Sequence, residues 1–280
     1  MENHVPGGSE DFSWKIKADV QFVDLLLLGS VPVVLCLVFF LPEGQRSQLV
    51  FEVDNPSILT AFTASYVHLT ESHLTGNVAV YLVVAPMYYL VCVLSDRRPL
   101  FWYTTVVVLS VFPFALATMQ LSFLTKRTVL GFSGINAAFA GLLCFAVVRY
   151  TGDVLSKRLS HHYSPVLLFV VFGIVTLVSL PDRAWRTELA ILSFTLAGLY
   201  LGFLLRQSGI PTIGDVREAL DSPGYVELAG SSLGIVLVYP FVAFQPKMAV
   251  EGGALDIYIH LLGFALGFIV VYIFVTVTEE

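Results

Sequence analysis

Long runs of apolar residues, each bounded by polar or charged positions, recur along the whole chain. Eight of them approach the roughly 20 residues that a helix needs to cross a bilayer. Backbone groups in lipid must hydrogen-bond within their own segment, so each run predicts a membrane-spanning helix and the fold class is an all-α polytopic bundle. The runs cover residues 25–42, 74–95, 100–123, 131–149, 165–181, 188–206, 231–247 and 256–277.

Composition agrees with this pattern. The 280 residues are 56% hydrophobic and only 13% charged, against about 25% charged in an average soluble domain. The formal net charge is −6 and no basic block is present, which excludes nucleic acid as a partner. We expect residues 1–22 to form a cytoplasmic N-terminal tail and residues 23–280 to form one transmembrane domain.

The distribution of cations predicts the orientation in the membrane. With the N-terminus inside, the inner segments hold nine of the fifteen Lys and Arg residues and the outer segments hold six. Both termini are therefore predicted to be cytoplasmic. In this orientation the runs that begin at residues 74, 131 and 256 all start on the outer side.

Polar side chains are rare inside the apolar runs, and such residues are functional candidates in a membrane protein. His68, His73 and Asn77 form a His-x4-His-x3-Asn pattern at the start of the second run. His73 and Asn77 are four residues apart and share one helix face. His161 and His162 lie between two runs, where we expect them to face solvent. The chain lacks a His-Glu-x-x-His pair and a cysteine cluster, so we expect no metal and no cofactor.

Two further runs combine a reactive side chain with small residues. Ser133 begins the fourth run and His260 lies near the start of the last run. The small residues are Gly131, Gly134 and Gly141 around the serine, and Gly263 and Gly267 after the histidine. Faces of small residues let two helices approach closely in lipid. If these faces meet, Ser133 and His260 lie at one depth, as a serine nucleophile and its general base require.

Taken together, Gly-x-Ser-Gly, His-x4-His-x3-Asn and His-x-x-Gly-x-x-x-Gly, on spans that run the same way, resemble the rhomboid intramembrane serine proteases. The resemblance covers roughly residues 60–150 and 231–277. It implies a rhomboid-like core of six helices with one span between the serine and histidine helices. Three apolar runs lie between them here, so the chain departs from the family by an extra helical hairpin, for which we take residues 165–206. The resemblance also implies a multi-pass protein of a prokaryotic plasma membrane that cleaves the transmembrane helices of other proteins within the lipid bilayer.

The resemblance assigns roles to particular residues. Ser133 corresponds to the nucleophile and His260 to the general base, so the chemistry would rest on a Ser-His dyad. His73 and Asn77 correspond to the oxyanion hole, and His68 supports that region. Asp256, one turn before His260, could orient the base, although a carboxylate at a helix N-terminus is also explained by the helix dipole.

Two departures from the family pattern bear on function. Ala137 stands four residues after the serine, where many relatives carry an aromatic residue that packs on the base. The Trp-Arg pair often found in the first outer loop is missing from residues 43–66.

Two alternatives therefore remain beside an active protease. A catalytically inactive rhomboid-like protein would bind membrane clients without cleaving them, and Ala137 favours that interpretation. A transporter would line a pathway with the same His and Asn residues. The clustering of these groups on one side argues against it, because transporter sites favour the bilayer midplane.

Overall fold

The computed structural model describes residues 16–123, 128–155, 160–180, 184–245 and 254–279. Within these ranges seven helices are long and apolar enough to cross a membrane, and one further pair of helices, bent by 43°, is apolar and long enough only when its two helices are taken together. The protein is therefore a multi-pass membrane protein built as a helical bundle. Most of the predicted tail, residues 1–15, lies outside the described ranges, and residues 16–19 form a short helical turn.

The elements follow one another in a simple order. They are α1 (Phe22–Phe39), α2 (Glu43–Gln48), β1 (Phe51–Glu52), α3 (Ile58–Thr63), α4 (Glu71–Leu94), α5 (Arg98–Ser110), α6 (Phe112–Phe123), β2 (Thr128–Val129), α7 (Ser133–Leu155), α8 (Ser164–Ser179), α9 (Ala184–Ser208), α10 (Ile213–Asp221), α11 (Tyr225–Ala243) and α12 (Ala254–Glu279). Short 3-10 turns at Ala64–Tyr66 and His161–Tyr163 lead towards α4 and α8.

Each predicted run contains a helix, but the run at 100–123 is not one straight helix. It is divided at Val111 into α5 and α6, whose axes differ by 43°. Pro113 has no backbone N–H, so the carbonyl of Leu109 loses its donor within the helix. The hydroxyl of Tyr66 donates to that carbonyl at 2.5 Å. Tyr66, from the 3-10 turn before α4, thus supplies a hydrogen-bond donor for the Leu109 carbonyl in place of the one that Pro113 lacks.

Helix α1 uses the same arrangement without a break. Pro32 lies inside α1 and removes the donor for the Leu28 carbonyl. Tyr81 on α4 donates to that carbonyl at 3.2 Å. A carbonyl without a hydrogen-bond donor in lipid costs several kcal/mol. Each tyrosine hydroxyl therefore replaces the donor that the proline lacks, and it also connects two segments of the bundle.

Helix α7 is the centre of the bundle. Most of its residues from Gly134 to Val147 are fully buried, and α4, α8, α11 and α12 all pack against it. Contacts along α4 and α12 advance in the same direction as those along α7, so the three helices are parallel. Their N-termini meet at one end of the bundle, called the site end below.

The segment between α1 and α4 folds over the site end. Strand β1 pairs antiparallel with β2, with Phe51 opposite Val129 and Glu52 opposite Thr128. This pairing connects the long loop to the residues that precede α7. The loop therefore takes part in holding the start of the central helix.

The opposite end of the bundle carries an ion pair between a buried carboxylate and a partly exposed guanidinium. Asp24 lies within α1, although the sequence suggested that the span begins after it, and its side chain is fully buried. Arg98 donates to both carboxylate oxygens at 2.7 Å, and Trp102 and Tyr89 each donate at 2.8 Å. Four hydrogen bonds compensate the desolvation of the carboxylate and join α1 to α4 and α5.

The expectation that His161 faces solvent is wrong. Its side chain is buried beside Phe145 and Tyr272, because the short turn before α8 folds back under α7 and α12. Arg149 donates to its Nδ1 at 3.0 Å, and its Nε2 lies 3.2 Å from the Thr276 hydroxyl. Neighbouring His162 is half-buried.

The hairpin of α8 and α9 lies at the periphery. Helix α8 packs on α7 and α11, whereas α9 packs mainly on α8 and exposes most of its surface. This pair corresponds to the 165–206 hairpin that the sequence suggested as an addition to the core.

Candidate active site

The turn before α7 holds Ser133 at the site end. Gly131 has φ +107°, a conformation that a residue with a side chain rarely adopts. Its amide donates to the Ala64 carbonyl at 2.9 Å. Phe132 is fully buried, between Tyr66 and Tyr81, with ring centroids at 5.7 and 5.8 Å. Ser133 follows at the first position of α7 and is only partly buried.

Both His73, on α4, and His68, just before α4, contact this turn. A Cβ atom placed on Gly131 would lie 2.6 Å from Cε1 and 2.8 Å from Nε2 of His73, so the His73 ring occupies the space that the glycine leaves. Gly131 therefore makes room for a side chain of α4, and the helix-packing role expected from the sequence stays a prediction. The Nε2 atom of His68 accepts from the Phe132 amide at 3.4 Å, and the two imidazole rings pack edge to face at 4.9 Å.

Asn77 is held in a network with these groups. Its Nδ2 donates to His68 Nε2 and to the His73 carbonyl, both at 3.1 Å. Its Oδ1 accepts from Nδ2 of Asn136 on α7 at 3.1 Å. Both hydrogens of the Asn77 amide therefore have partners within the protein. These hydrogen bonds fix His68 against α7, and the oxyanion role that the resemblance implies for Asn77 stays a prediction.

Burial keeps His68 uncharged. Its side chain is fully buried, and desolvation together with the nearby charge of His73 lowers the pKa of His68 to about 3. Because Nε2 accepts hydrogen bonds from two N–H donors, the neutral form carries its proton on Nδ1. His68 is thus a fixed acceptor that orients the turn before Ser133.

Helices α7 and α12 meet through their glycines. A Cβ atom on Gly263 would overlap the Gly134 carbonyl, and one on Gly267 would overlap the Ala138 carbonyl. A Cβ atom on Gly141 would overlap the Phe264 carbonyl. Gly134 itself contacts Ile259, the residue next to His260. The backbone that follows Ser133 therefore lies against the turn of α12 that carries His260.

His260 is buried and is held from α11. Its Nδ1 lies 2.6 Å from the carbonyl oxygen of Ala243, and a carbonyl can only accept, so Nδ1 is protonated and donates. In the neutral imidazole the lone pair then belongs to Nε2. The ring of Phe244 packs edge to face on His260 with centroids 5.8 Å apart.

Ala137 faces the same contact between helices. It is fully buried, and its Cβ lies 3.2 Å from a Cβ built on Gly263. An aromatic side chain at this position would separate α7 from α12. Phe244, which approaches His260 from the end of α11, supplies the aromatic contact that Ala137 does not.

Sequence reasoning did not single out Asn136, Ala243 or Phe244. Asn136 had a signal, because an amide within an apolar run needs a polar partner. Ala243 and Phe244 gave no signal in the sequence, because a backbone carbonyl is present at every position and Phe is common in apolar spans. The side chain of Asp256 lies outside the described part of the chain.

The part of the chain that the structure describes contains no group of three or more His, Cys, Asp or Glu residues placed to hold a metal ion. Comparison of the chain with protein-family models, with curated proteins and with solved structures gives no significant match. Function must therefore be inferred from the residues of the site themselves.

Proposed function

We propose that this protein is a rhomboid-type intramembrane serine endopeptidase, a hydrolase with a Ser133–His260 dyad. The observation that carries the proposal is the state of His260. Its Nδ1–H is committed to the Ala243 carbonyl, and its turn of α12 packs on the backbone that follows Ser133. A general base needs a fixed ring with its lone pair on the other nitrogen.

In the proposed reaction, Ser133 Oγ attacks the scissile carbonyl carbon while His260 Nε2 accepts the hydroxyl proton. The tetrahedral intermediate collapses when His260 gives that proton to the leaving amine, so the C–N bond breaks and an ester to Ser133 remains. Water then attacks the ester while His260 takes its proton; His260 returns that proton to Ser133 Oγ as the C–O bond to the serine breaks, and the acid product leaves. Each proton that His260 takes is returned within the cycle.

The oxygen of the scissile carbonyl becomes negatively charged in the tetrahedral intermediate, and hydrogen-bond donors at the start of α7 must stabilise it. The first N–H groups of a helix have no partner within the helix, so the Ser133 amide is suited to this role. The His73 ring, packed on Gly131, is the second proposed donor. Asn77 and His68 hold the turn in place through their hydrogen bonds.

The proposed substrates are transmembrane helices of other proteins. A helix hides its carbonyls in its own hydrogen bonds, so the segment to be cleaved must unwind near the site end. The lipid bilayer brings enzyme and substrate together by restricting both to one plane.

The test is cleavage of a panel of single-span reporter proteins in reconstituted liposomes. Ser133→Ala and His260→Ala should each lower the cleavage rate by at least about 1,000-fold, because nucleophile and base act as one unit. Ser110→Ala is the matched control: this exposed serine donates only to the Val106 carbonyl and should leave the rate unchanged. Cleavage that persists in both variants would reject the dyad. Reporter binding without cleavage by the wild type would support the inactive client-binding alternative.

A further inference from the structure

Helix α10 connects two membrane-spanning helices at the end of the bundle opposite the site end. Only residues 209–212 separate it from α9, and only residues 222–224 separate it from α11. Connections this short keep α10 close to the bilayer, because an extended residue spans at most about 3.5 Å. Tyr225, the first residue of α11, packs on Tyr150 in the last turns of α7. Helix α10 therefore lies at the membrane surface.

Hydrogen bonds in the first turn hold α10 as a helix within this short connection. The Asp215 amide donates to the Thr212 hydroxyl at 3.1 Å, and the Thr212 amide donates to the Asp215 carboxylate at 2.7 Å. This reciprocal pair satisfies two N–H groups at the helix N-terminus. At the other end Gly224, with φ +75°, turns the chain into α11. The faces of α10 are therefore fixed relative to the bundle.

The surface of α10 is divided into three faces. Ala219 is fully buried, and the helix packs on α7 and α11. Ile213, Val216 and Leu220 are spaced i, i+3 and i+7, which places them in one apolar stripe beside the buried face. The third face is polar and carries Arg217, Glu218 and Asp221. An apolar and a charged face thus lie on different sides of one short helix.

The apolar stripe is exposed. Ile213 is 89% accessible and Leu220 is 57% accessible, and Ile210 just before the helix is 73% accessible. Exposed apolar residues also stand on the adjoining ends of the spanning helices, at Phe203 on α9 and Val226 on α11. Lipid surrounds the exposed surface of a spanning helix, so the stripe adjoins surfaces that already face the bilayer.

We propose that α10 is an interfacial helix, which lies along the bilayer surface and inserts Ile213, Val216 and Leu220 at the boundary between headgroups and acyl chains. Because the charged face is a separate side of the helix, Glu218 and Asp221 stay in water when the stripe contacts lipid. Burial of the stripe in the bilayer removes apolar surface from water, which favours this arrangement. The inference stands independently of the proposed proteolysis.

The test measures how often a nitroxide spin label collides with oxygen, which dissolves in lipid, and with a nickel chelate, which stays in water. The protein is reconstituted in liposomes of phosphatidylcholine and phosphatidylglycerol. Labels are attached one at a time to Ile213→Cys and to Glu218→Cys, the matched position on the charged face. Both variants carry Cys36→Ser to remove the partly exposed thiol, since Cys92 and Cys144 are buried.

The ratio of oxygen to chelate collisions should be at least about threefold higher at Ile213 than at Glu218, and Leu220→Cys should behave like Ile213→Cys. Val33→Cys, on the exposed surface of α1, supplies the value for a side chain in lipid. Thermal unfolding of each labelled variant establishes that it is folded. Equal ratios at Ile213 and Glu218 would overturn the proposal. A label at Ile213 that is shielded from both reagents would also overturn it, because protein would then cover the stripe.

Discussion

At the scale of single residues, hydrogen bonds to the ring nitrogens of His68 and His260 fix the orientation and the tautomer of each imidazole. His68 accepts hydrogen bonds at Nε2 from the Phe132 amide and the Asn77 side chain, so its proton lies on Nδ1. His260 donates from Nδ1 to the Ala243 carbonyl, so its lone pair lies on Nε2. The two rings therefore have opposite tasks. His68 is a permanent acceptor that holds backbone, and the Nε2 atom of His260 is left with the lone pair that a base requires.

The state of His68 predicts a pH dependence of stability. The folded pKa is about 3 and the usual value is 6.5, so between these values the unfolded state binds a proton that the folded state does not. The free energy of unfolding should then fall as pH falls below about 6.5, with a slope approaching about 1.4 kcal/mol per pH unit. Chemical unfolding from pH 7 to pH 4 measures this slope.

The reference for that measurement is His68→Gln, which keeps a hydrogen-bonding side chain and does not titrate. Its unfolding free energy should vary less steeply with pH by the amount that His68 contributes. Identical slopes for the variant and the wild type would show that His68 is not held neutral by folding.

At the scale of elements, proline and tyrosine act in pairs across segments. Pro113 and Pro32 each release a carbonyl, and Tyr66 and Tyr81 each donate to the released group. The pair at Leu109 accompanies a 43° bend and the pair at Leu28 lies in an unbroken helix. The hydroxyl thus compensates the lost hydrogen bond whether or not the helix breaks.

A double-mutant cycle tests this compensation. Tyr66→Phe should lower the free energy of unfolding by about 1–3 kcal/mol, because it leaves a buried carbonyl without a donor. Pro113→Ala restores a backbone N–H that can donate to the Leu109 carbonyl, so the Tyr66→Phe change should cost much less in that background. Unfolding in detergent measures both differences. Equal costs in the two backgrounds would show that Tyr66 stabilises by other means.

The elements were the part of the fold that hydropathy could predict. Seven of the eight apolar runs each coincide with one helix long enough to span, and the run at 100–123 coincides with a bent pair of helices, since lipid leaves helix as the only conformation for a single apolar segment. The break at Val111 was not predictable, because Pro32, Pro86 and Pro240 lie inside helices that continue through them. Ser133 and His260 were identifiable as polar groups in apolar runs, whereas the backbone carbonyl that orients His260 leaves no trace in a sequence.

At the scale of the whole molecule, the bundle has a tightly packed centre and a loose periphery. Helices α7 and α12 touch backbone to backbone at Gly141, Gly263 and Gly267. On α9, by contrast, a Cβ placed on Gly198 or Gly202 would meet no atom within 4 Å. Glycine is therefore required for the close contact between α7 and α12, whereas on α9 a larger residue would fit at the same kind of position.

Alanine substitution measures this contrast. Gly141→Ala should lower the free energy of unfolding by about 1–3 kcal/mol, because the methyl group has no room against the Phe264 carbonyl. Gly198→Ala, with open space and a helical backbone, should raise it by about 0.5–1 kcal/mol. Thermal unfolding of the two variants is the measurement. Similar effects at both positions would contradict the close approach of α7 and α12.

The contact between α7 and α12 also determines when the candidate site can form during synthesis of the chain. Ser133 leaves the ribosome well before His260, because α8, α9 and α11 are synthesised between the two helices. Until α12 inserts, the glycine face of α7 lacks the helix that packs on it. Under the proposed function Ser133 then has no base, so a nascent chain that has not yet reached α12 should not cleave a substrate.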